Sequence, residues 1–372
     1  MNSNLKEIAQ VFFRLGCLAF GGPAAHIAMM EEEIIKKRKW MTHQHFLDLI
    51  GATNLIPGPN STEMTMHCGH ERGGWKGLFV AGFSFIFPAV VITMLLAWLY
   101  GEYGQLPNVE PWVYGIKPAV IAIILSAVYR LGKKALKTTQ LGILGGLTLL
   151  ACLLGNNEIA ALFCCGLLGV VLYFLQRKKN TLNSISPVLL VPTLISGAKV
   201  SGLKVFLIFL KVGALLYGSG YVLFAFLDAE LVSTGLLTRQ ELIDAVAVGQ
   251  FTPGPVLSTA TFIGWQLFGF WGAIGATVGI FLPSFIFVTI LNPLVPKLRK
   301  NQAISAFLDA VNIAAVAVII AVCFDMGKDT ITDWKTTVIA LLSVVVVFGF
   351  KKLNSAFVVL GGSILGYILS LI

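Results

Sequence analysis

Two parts of this sequence repeat each other, and this duplication restricts the folds that the chain can adopt. Pro57-Gly58-Pro59 recurs as Pro253-Gly254-Pro255, 196 residues later (57 to 253). The segment GCLAFG at 16–21 is echoed by GALLYG at 213–218, an offset of 197 (16 to 213). Because one register holds over most of each half, we predict a first repeat at 1–180, a linker at 181–204 and a second repeat at 205–372.

Long apolar runs fill both halves and exclude a water-soluble fold. Hydrophobic residues make up 56% of the chain and charged residues only 12%, against about 25% charged in ordinary soluble domains. A membrane-spanning helix needs about twenty mostly apolar residues. We therefore predict an all-α integral membrane protein with about ten transmembrane helices, at 5–20, 77–100, 112–131, 139–154, 159–175, 205–227, 273–296, 303–324, 336–350 and 353–372.

Four shorter apolar stretches predict a different structure. Residues 46–56 and 61–70 flank the first Pro-Gly-Pro, and 242–251 and 257–264 flank the second. Proline lacks a backbone donor and disfavours helix in the residue before it, so each motif breaks a helix. We predict two re-entrant helical hairpins, which membranes tolerate where protein or a water-filled cavity receives the loose backbone.

The net charge of +9 comes largely from short basic clusters between apolar runs. In the first half these occupy the loops at 36–39, 72–76, 130–137 and 177–179. In the second half, the basic clusters at 297–300 and 351–352 lie in loops whose first-half equivalents carry no Lys or Arg. The positive-inside rule therefore predicts that the two repeats have inverted topology. The expected partners are membrane lipids and an anionic substrate, and no nucleic acid; the sequence leaves a homodimer open.

Inverted repeats place a substrate site near the bilayer midplane, where broken helices meet. Helix starts are expected after four breaks, at 21–23, 57–59, 218–220 and 253–255, and a helix N-terminus suits an anion. The alternative is that the glycines only permit close packing and the hydroxyls only cap helices. The candidate substrate-binding residues at these breaks are Gly21, Gly22, Pro23, His26, Asn60, Ser61, Thr62, Glu63, Gly218, Ser219, Gly220, Tyr221, Gln250, Thr252, Gly254, Ser258 and Thr259.

Charged and titratable residues within apolar segments are further candidates, because an intramembrane cation costs at least about 2.5 kcal/mol. Arg14 and Lys211 occupy matched positions and are candidate substrate-binding residues, with snorkelling to the interface as the alternative. Lys117 is matched by Asn312, so we expect it to supply an unpaired positive charge. The coupling candidates are Glu63, His26, His67 and Lys117; for Glu63 the alternative is helix capping, and for the histidines a purely structural hydrogen bond.

Other classes of function lack their usual signatures. The sequence contains no Gly-x-x-x-x-Gly-Lys-Ser/Thr loop, no visible nucleophile–base pair and no cluster of metal-ligand spacing. All six cysteines lie in apolar stretches and are interpreted as small core residues. We therefore expect a transporter that is not an enzyme and that uses no cofactor or metal.

Several motifs resemble those of the chromate ion transporter family in its long, two-repeat form. In the first half they are FGGPAAH at 20–26, NLIPGPNSTE at 54–63 and RGGWKG at 72–77; in the second they are YGSGY at 217–221, GQFTPGP at 249–255 and GIFLPS at 279–284. The resemblance implies secondary active export of chromate across the bacterial plasma membrane, which confers chromate resistance. It also implies sulfate as a similar competitor. A transporter for sulfate or another small oxyanion, and a passive anion channel, are the alternatives.

Overall fold

The computed structural model of the chain describes residues 2–20, 22–53, 56–104, 106, 110–177, 201–217, 220–291, 302–350 and 353–371, and within them the fold is helical with no β-strand. Among the described residues, the first repeat contains the α-helices α1 Asn2–Leu18, α2 Pro23–Met30, α3 His43–Thr53, α4 Asn60–Tyr103, α5 Glu110–Ala135, α6 Thr139–Leu153 and α7 Glu158–Arg177. The second contains α8 Gly202–Leu215, α9 Val222–Leu227, α10 Arg239–Phe251, α11 Thr259–Leu291, α12 Gln302–Thr330, α13 Trp334–Gly349 and α14 Ser355–Ser370.

Five described helical segments have the length and apolar composition to cross a membrane, and α6, α13 and α14 are shorter apolar helices. The predicted all-α membrane fold is thereby confirmed. The number of crossings and the opposite orientation of the repeats stay predictions. The qualifying segments are Asn60–Tyr103, Glu110–Ala135, Glu158–Leu175, Val256–Ile290 and Gln302–Thr330.

Each long helix α4 and α11 consists of two parts that a glycine separates. In α4 the backbone leaves the helical region at Gly74 (φ 60°), and in α11 it does so at Phe268 and Gly269 (φ 56° at the glycine). Positive φ is available to glycine at no steric cost, which explains why the turn occurs there. The first part of each long helix follows a Pro-Gly-Pro break, so α3 with α4 and α10 with α11 have the layout of the predicted hairpins.

The predicted continuous span at 205–227 is wrong. Helix α8 ends at Leu215, Leu216 adopts an extended backbone (φ −71°, ψ 103°), and the short helix α9 begins only at Val222. Glycine is a poor helix former, and the helix ends where the Gly-rich stretch begins. Residues 218 and 219 of that break, and most of the linker, lie outside the described residues.

The two repeats exchange helices. In the first repeat α1 packs along α4, and in the second α8 packs along α11. Helix α4 of the first repeat also contacts α11 of the second. Helix α5, however, packs against α13 and α14 of the second repeat, while α12 packs against α6 and α7 of the first. Each of these contacts thus has a reciprocal contact in the other repeat, as expected for an isologous interface.

Small residues allow the exchanged helices to approach closely. A methyl group added to Gly115 of α5 would overlap the backbone of Gly362 and Gly366 on α14. At the equivalent contact, Gly169 of α7 faces Ala310 of α12. Close packing of small residues is the usual way in which membrane helices associate, so the exchange is built into both repeats.

Candidate functional site

The two Pro-Gly-Pro breaks are held by reciprocal hydrogen bonds between the repeats. Gly58 donates its backbone N–H to the carbonyl oxygen of Leu216 (2.7 Å), just after α8. Gly254 donates in the same way to Ala19 (2.8 Å), just after α1. Both glycines have positive φ, 139° and 87°, which side chains of L-residues rarely adopt. Each hairpin loop therefore lies beside the residues that follow the first helix of the other repeat.

The breaks that precede α2 and α9 lie beside these loops. A methyl group built on Gly22 would lie 3.6 Å from the hydroxyl oxygen of Tyr221, which precedes α9. A methyl group built on Gly220 would lie 3.4 Å from Leu257, in the 3₁₀ turn Val256–Ser258 that leads into α11. The structure thus brings together all four predicted breaks as far as they are described; Gly21, Gly218 and Ser219 lie outside the described residues.

Glu63 lies at the first Pro-Gly-Pro break and is fully buried. Its carboxylate and the hydroxyl of Ser284 from α11 both lie over Gly58, where an added methyl group would overlap them. The hydroxyl of Ser284 is placed to donate a hydrogen bond to the Glu63 carboxyl group, whereas the buried hydroxyl of Thr62 has no hydrogen-bond partner among the described residues. Buried polar groups are normally paired, so this cluster offers unused hydrogen-bonding capacity behind a helix start.

The second Pro-Gly-Pro break carries hydroxyl groups and no carboxylate. Thr93 of α4 donates to the hydroxyl oxygen of Ser258 (3.2 Å), which links the repeats. The hydroxyls of Thr252 and Thr259 donate to backbone carbonyls one turn earlier. The side-chain nitrogen of Gln250 is buried and has no described partner. The site is therefore asymmetric in chemistry although its backbone is symmetric.

The predicted polar residues near the first break differ in burial. Ser61 and His67 are buried, whereas Asn60 at the start of α4 is half-buried. His26 on α2 is buried, with one ring nitrogen 3.1 Å from the same Ala19 carbonyl that accepts from Gly254. Its ring packs edge-on against Phe85, with centroids 5.5 Å apart. His26 and the loop of the second repeat thus share one acceptor, the backbone carbonyl of Ala19.

The three predicted cations have different surroundings. Arg14 is exposed on α1. Lys211 forms an ion pair with Glu230 (2.6 Å). The prediction that Lys117 is unpaired is wrong, because its ammonium lies 3.2 Å from the carboxylate of Asp244 on α10. A pairing between distant helices cannot be read from local sequence.

Asp244 is a buried polar residue that the sequence did not single out as a candidate. It also accepts a hydrogen bond from the hydroxyl of Tyr100 (2.6 Å). The available signal was that Asp244 is the one charged residue of the predicted hairpin segment 242–251. Within the described ranges, no group of three or more His, Cys, Asp or Glu side chains is placed to hold a metal ion.

Comparison with known proteins identifies the family. The family described as chromate transporter matches the chain twice, at residues 6–170 and 203–367. The chain belongs to the chromate transporter family. The two separate matches agree with the two-repeat form that the motifs predicted.

Members of the chromate transporter family resemble the chain over nearly its whole length. A chromate transport protein of Cupriavidus metallidurans is 31% identical over 98% of this chain and 93% of its own length. A probable chromate transport protein of Synechococcus elongatus is 30% identical over 98% of this chain and 95% of its own length. A chromate transport protein of Pseudomonas aeruginosa is 28% identical over 96% and 90%. No solved structure matches the chain.

Proposed function

We propose that this protein is a secondary active transporter that exports chromate across the plasma membrane and thereby confers chromate resistance. The observation that carries the proposal is the meeting of the helix breaks, held by the reciprocal bonds from Gly58 and Gly254. Relatives that are named for chromate transport and align over nearly the whole chain support the substrate. The direction and the energy source are part of the proposal.

The proposed anion site uses neutral donors. Helix starts at Pro23 and Asn60 leave backbone N–H groups without intrahelical acceptors and carry a partial positive charge. Gly22 allows a ligand to approach the backbone, and the buried hydroxyls of Thr62 and Ser258 add side-chain groups. A tetrahedral oxyanion can share its four oxygens among such donors.

We further propose that Glu63 couples transport to protons. An ionised carboxylate next to the anion would repel it, whereas a protonated one could donate a hydrogen bond to an oxyanion. Its burial and its lack of a described cationic partner support this role. His26, His67 and Lys117 are secondary candidates: His26 bonds to the backbone and Lys117 is paired with Asp244.

Uptake by everted membrane vesicles tests the transport proposal. We expect vesicles that contain the protein to accumulate chromate when a pH gradient is imposed, and vesicles without it to accumulate none. Chromate uptake measured in excess sulfate tests whether the protein transports chromate specifically or small oxyanions in general. Conductance without accumulation against a gradient would indicate a passive anion channel, and an unchanged chromate content of cells with and without the protein would contradict export.

The variant Glu63→Gln tests the coupling role. We expect it to lose the part of the pH dependence of chromate uptake that Glu63 causes, because an amide neither gains nor loses a proton in this range. Loss of one charge interaction should change the initial rate of uptake by about tenfold. Ser284→Ala is the comparison variant: it removes the neighbouring hydroxyl and leaves the titrating carboxyl group in place, so uptake by this variant should still depend on pH. A Glu63→Gln protein with the wild-type pH profile would contradict the role of Glu63.

A further inference from the structure

A buried ion pair joins the repeats through residues that the proposed anion site does not use. The ammonium of Lys117 on α5 lies 3.2 Å from one carboxylate oxygen of Asp244 on α10, and the hydroxyl of Tyr100 donates to the other (2.6 Å). The Asp244 side chain is 5% exposed and that of Lys117 is 15% exposed. Lys117 and Tyr100 belong to the first repeat and Asp244 to the second.

This inter-repeat pair, Lys117 with Asp244, has no symmetric copy. The reciprocal hydrogen bonds of Gly58 and Gly254 occur twice because both repeats need them. The residue equivalent to Lys117 is Asn312, which carries no charge. A charge pair that is present at one of two equivalent places does not serve the shared scaffold, and ionisable groups within a membrane are functional candidates by default.

The pair lies at a weak point of α5. Pro118 follows Lys117 within the helix, and its ring removes one intrahelical hydrogen bond and favours bending there. A change in the attraction between Lys117 and Asp244 would therefore act on a helix that bends more easily at that residue, and on the contact between the repeats.

We infer that the Lys117–Asp244 pair is a proton-sensitive contact between the repeats, which opens during transport when Asp244 is protonated. In this step a proton from water adds to the carboxylate and gives a neutral carboxylic acid. Lys117 keeps its three ammonium protons and Tyr100 keeps its hydroxyl proton, and loss of the proton restores the pair. The inference rests on the proposed function in that it requires the repeats to move during transport.

The groups that act on Asp244 come from three helices. Lys117 on α5 carries the opposite charge, Tyr100 on α4 donates a hydrogen bond, and Glu241 lies on α10 one turn before Asp244. Glu241 caps its own helix through Thr238. Of these, Lys117 is the group whose attraction depends most directly on whether Asp244 is ionised.

The main experiment compares Lys117→Gln/Asp244→Asn with wild type in everted vesicles. The double variant removes both charges, so it leaves no buried charge unpaired, and such replacements are often tolerated by the fold. The matched control is Lys137→Gln/Asp309→Asn, a second Lys–Asp pair between the repeats (2.6 Å), which is more exposed at 57% and 28%. Gel filtration in detergent establishes that each variant is folded.

We expect the initial rate of chromate uptake to vary by at least about threefold between about pH 8 and about pH 6 in wild type and in the control pair. In Lys117→Gln/Asp244→Asn we expect less than about half of that variation. A double variant with the wild-type pH profile would overturn the inference. If the double variant does not fold, Tyr100→Phe replaces it; we expect a displaced pH profile, and an unchanged one overturns the inference.

Infrared spectroscopy supplies a readout that does not depend on substrate. The difference spectrum between wild type and the double variant should contain a protonated-carboxyl band that grows as the pH is lowered from about 8 to about 5. Absence of that band overturns the inference even if chromate is transported. Presence of the band in a protein that moves no chromate would overturn the proposed function and leave the protonation of Asp244 supported.

Discussion

Arg14 and Lys211 occupy equivalent positions in the two repeats, but their side chains have different surroundings. Arg14 is exposed, whereas Lys211 forms an ion pair with Glu230, whose side chain is only 16% exposed. The repeat alignment predicted that the two positions match. It could not predict which side chain has an ion-pair partner, because Glu230 lies beyond the interruption between α8 and α9.

Substitution of these two cations should therefore have unequal effects. We expect Lys211→Met to lower the free energy of unfolding by about 1–3 kcal/mol, since it leaves the carboxylate of Glu230 without its partner. Arg14→Gln should stay within about 0.5 kcal/mol of wild type, as for most exposed positions. Thermal melting in detergent measures both, and equal effects would contradict the structure at these positions.

A methyl group added at Gly58 would enter the proposed site. In Gly58→Ala the methyl group would overlap Glu63 and Ser284 at a backbone φ of 139°, so we expect a loss of stability of at least about 1–3 kcal/mol and loss of chromate uptake. Gly146→Ala in α6 is the control: nothing lies within 4 Å of the added methyl group. There the change should be neutral or stabilise by about 0.5–1 kcal/mol. Similar losses in both variants would argue against a specific role of the Gly58 backbone.

At the scale of single elements, hydrogen bonds from nearby side chains stabilise the ends of helices. Asp333 caps α13: its carboxylate accepts from the backbone N–H of Thr336 (2.8 Å) and, from α5, from the hydroxyl of Tyr114. These bonds, first that from the Thr336 N–H, lower the pKa of Asp333. A lowered pKa means that the stabilisation is present above the usual aspartate value of about 3.9 and is lost as the pH falls through the lowered pKa.

The cap gives a prediction with an internal control. We expect Asp333→Ala to reduce stability by about 1 kcal/mol near neutral pH. Asp333→Asn should retain most of the cap, since asparagine caps as well as aspartate, and should lose the part of the acid sensitivity that this carboxylate causes. Melting temperatures measured at neutral and acidic pH test both variants, and an Asn variant as unstable as the Ala variant would contradict the capping geometry.

Elements were predictable from sequence where proline and glycine act locally. Pro57-Gly58-Pro59 and its copy predicted breaks that the structure contains, and the two glycines at 74 and 269 divide the long helices as the spacing of apolar runs suggested. The break at 218–220 was predicted from its glycines, but the span 205–227 was still predicted as continuous, because the residues on both sides of the break are equally apolar. Lys117 and Asp244 were missed as a pair because 127 positions separate them in the sequence (117 to 244).

At the scale of the whole molecule, the exchange of α5 and α12 makes each repeat depend on the other. Sequence indicated the duplication, but small residues such as Gly115 also occur on helices that pack within their own repeat, so the exchange itself was not predictable. Since α5 packs against α13 and α14, a single repeat would leave its exchanged helix without those neighbours.

Expression of the chain in two pieces tests this dependence. We expect fragments 1–190 and 191–372 to be degraded or aggregated when made singly, and to purify together when co-expressed with a tag on one of them. Gly115→Leu should abolish co-purification, because Gly115 contacts the backbone of α14. Gly361→Leu is the control, since nothing lies within 4 Å of a methyl group added there. Stable, monomeric single fragments would contradict the exchanged packing.

Each Pro-Gly-Pro loop takes its hydrogen-bond acceptor from the opposite repeat, and this bears on how such a chain arose. One copy carries both such a loop and such a carbonyl, but the observed pairing joins two copies, so a one-repeat protein would need a second molecule to complete it. Fusion of two copies into one chain supplies both partners in a fixed ratio. Once joined, the copies were free to diverge, and only one of them now keeps a carboxylic acid behind its loop.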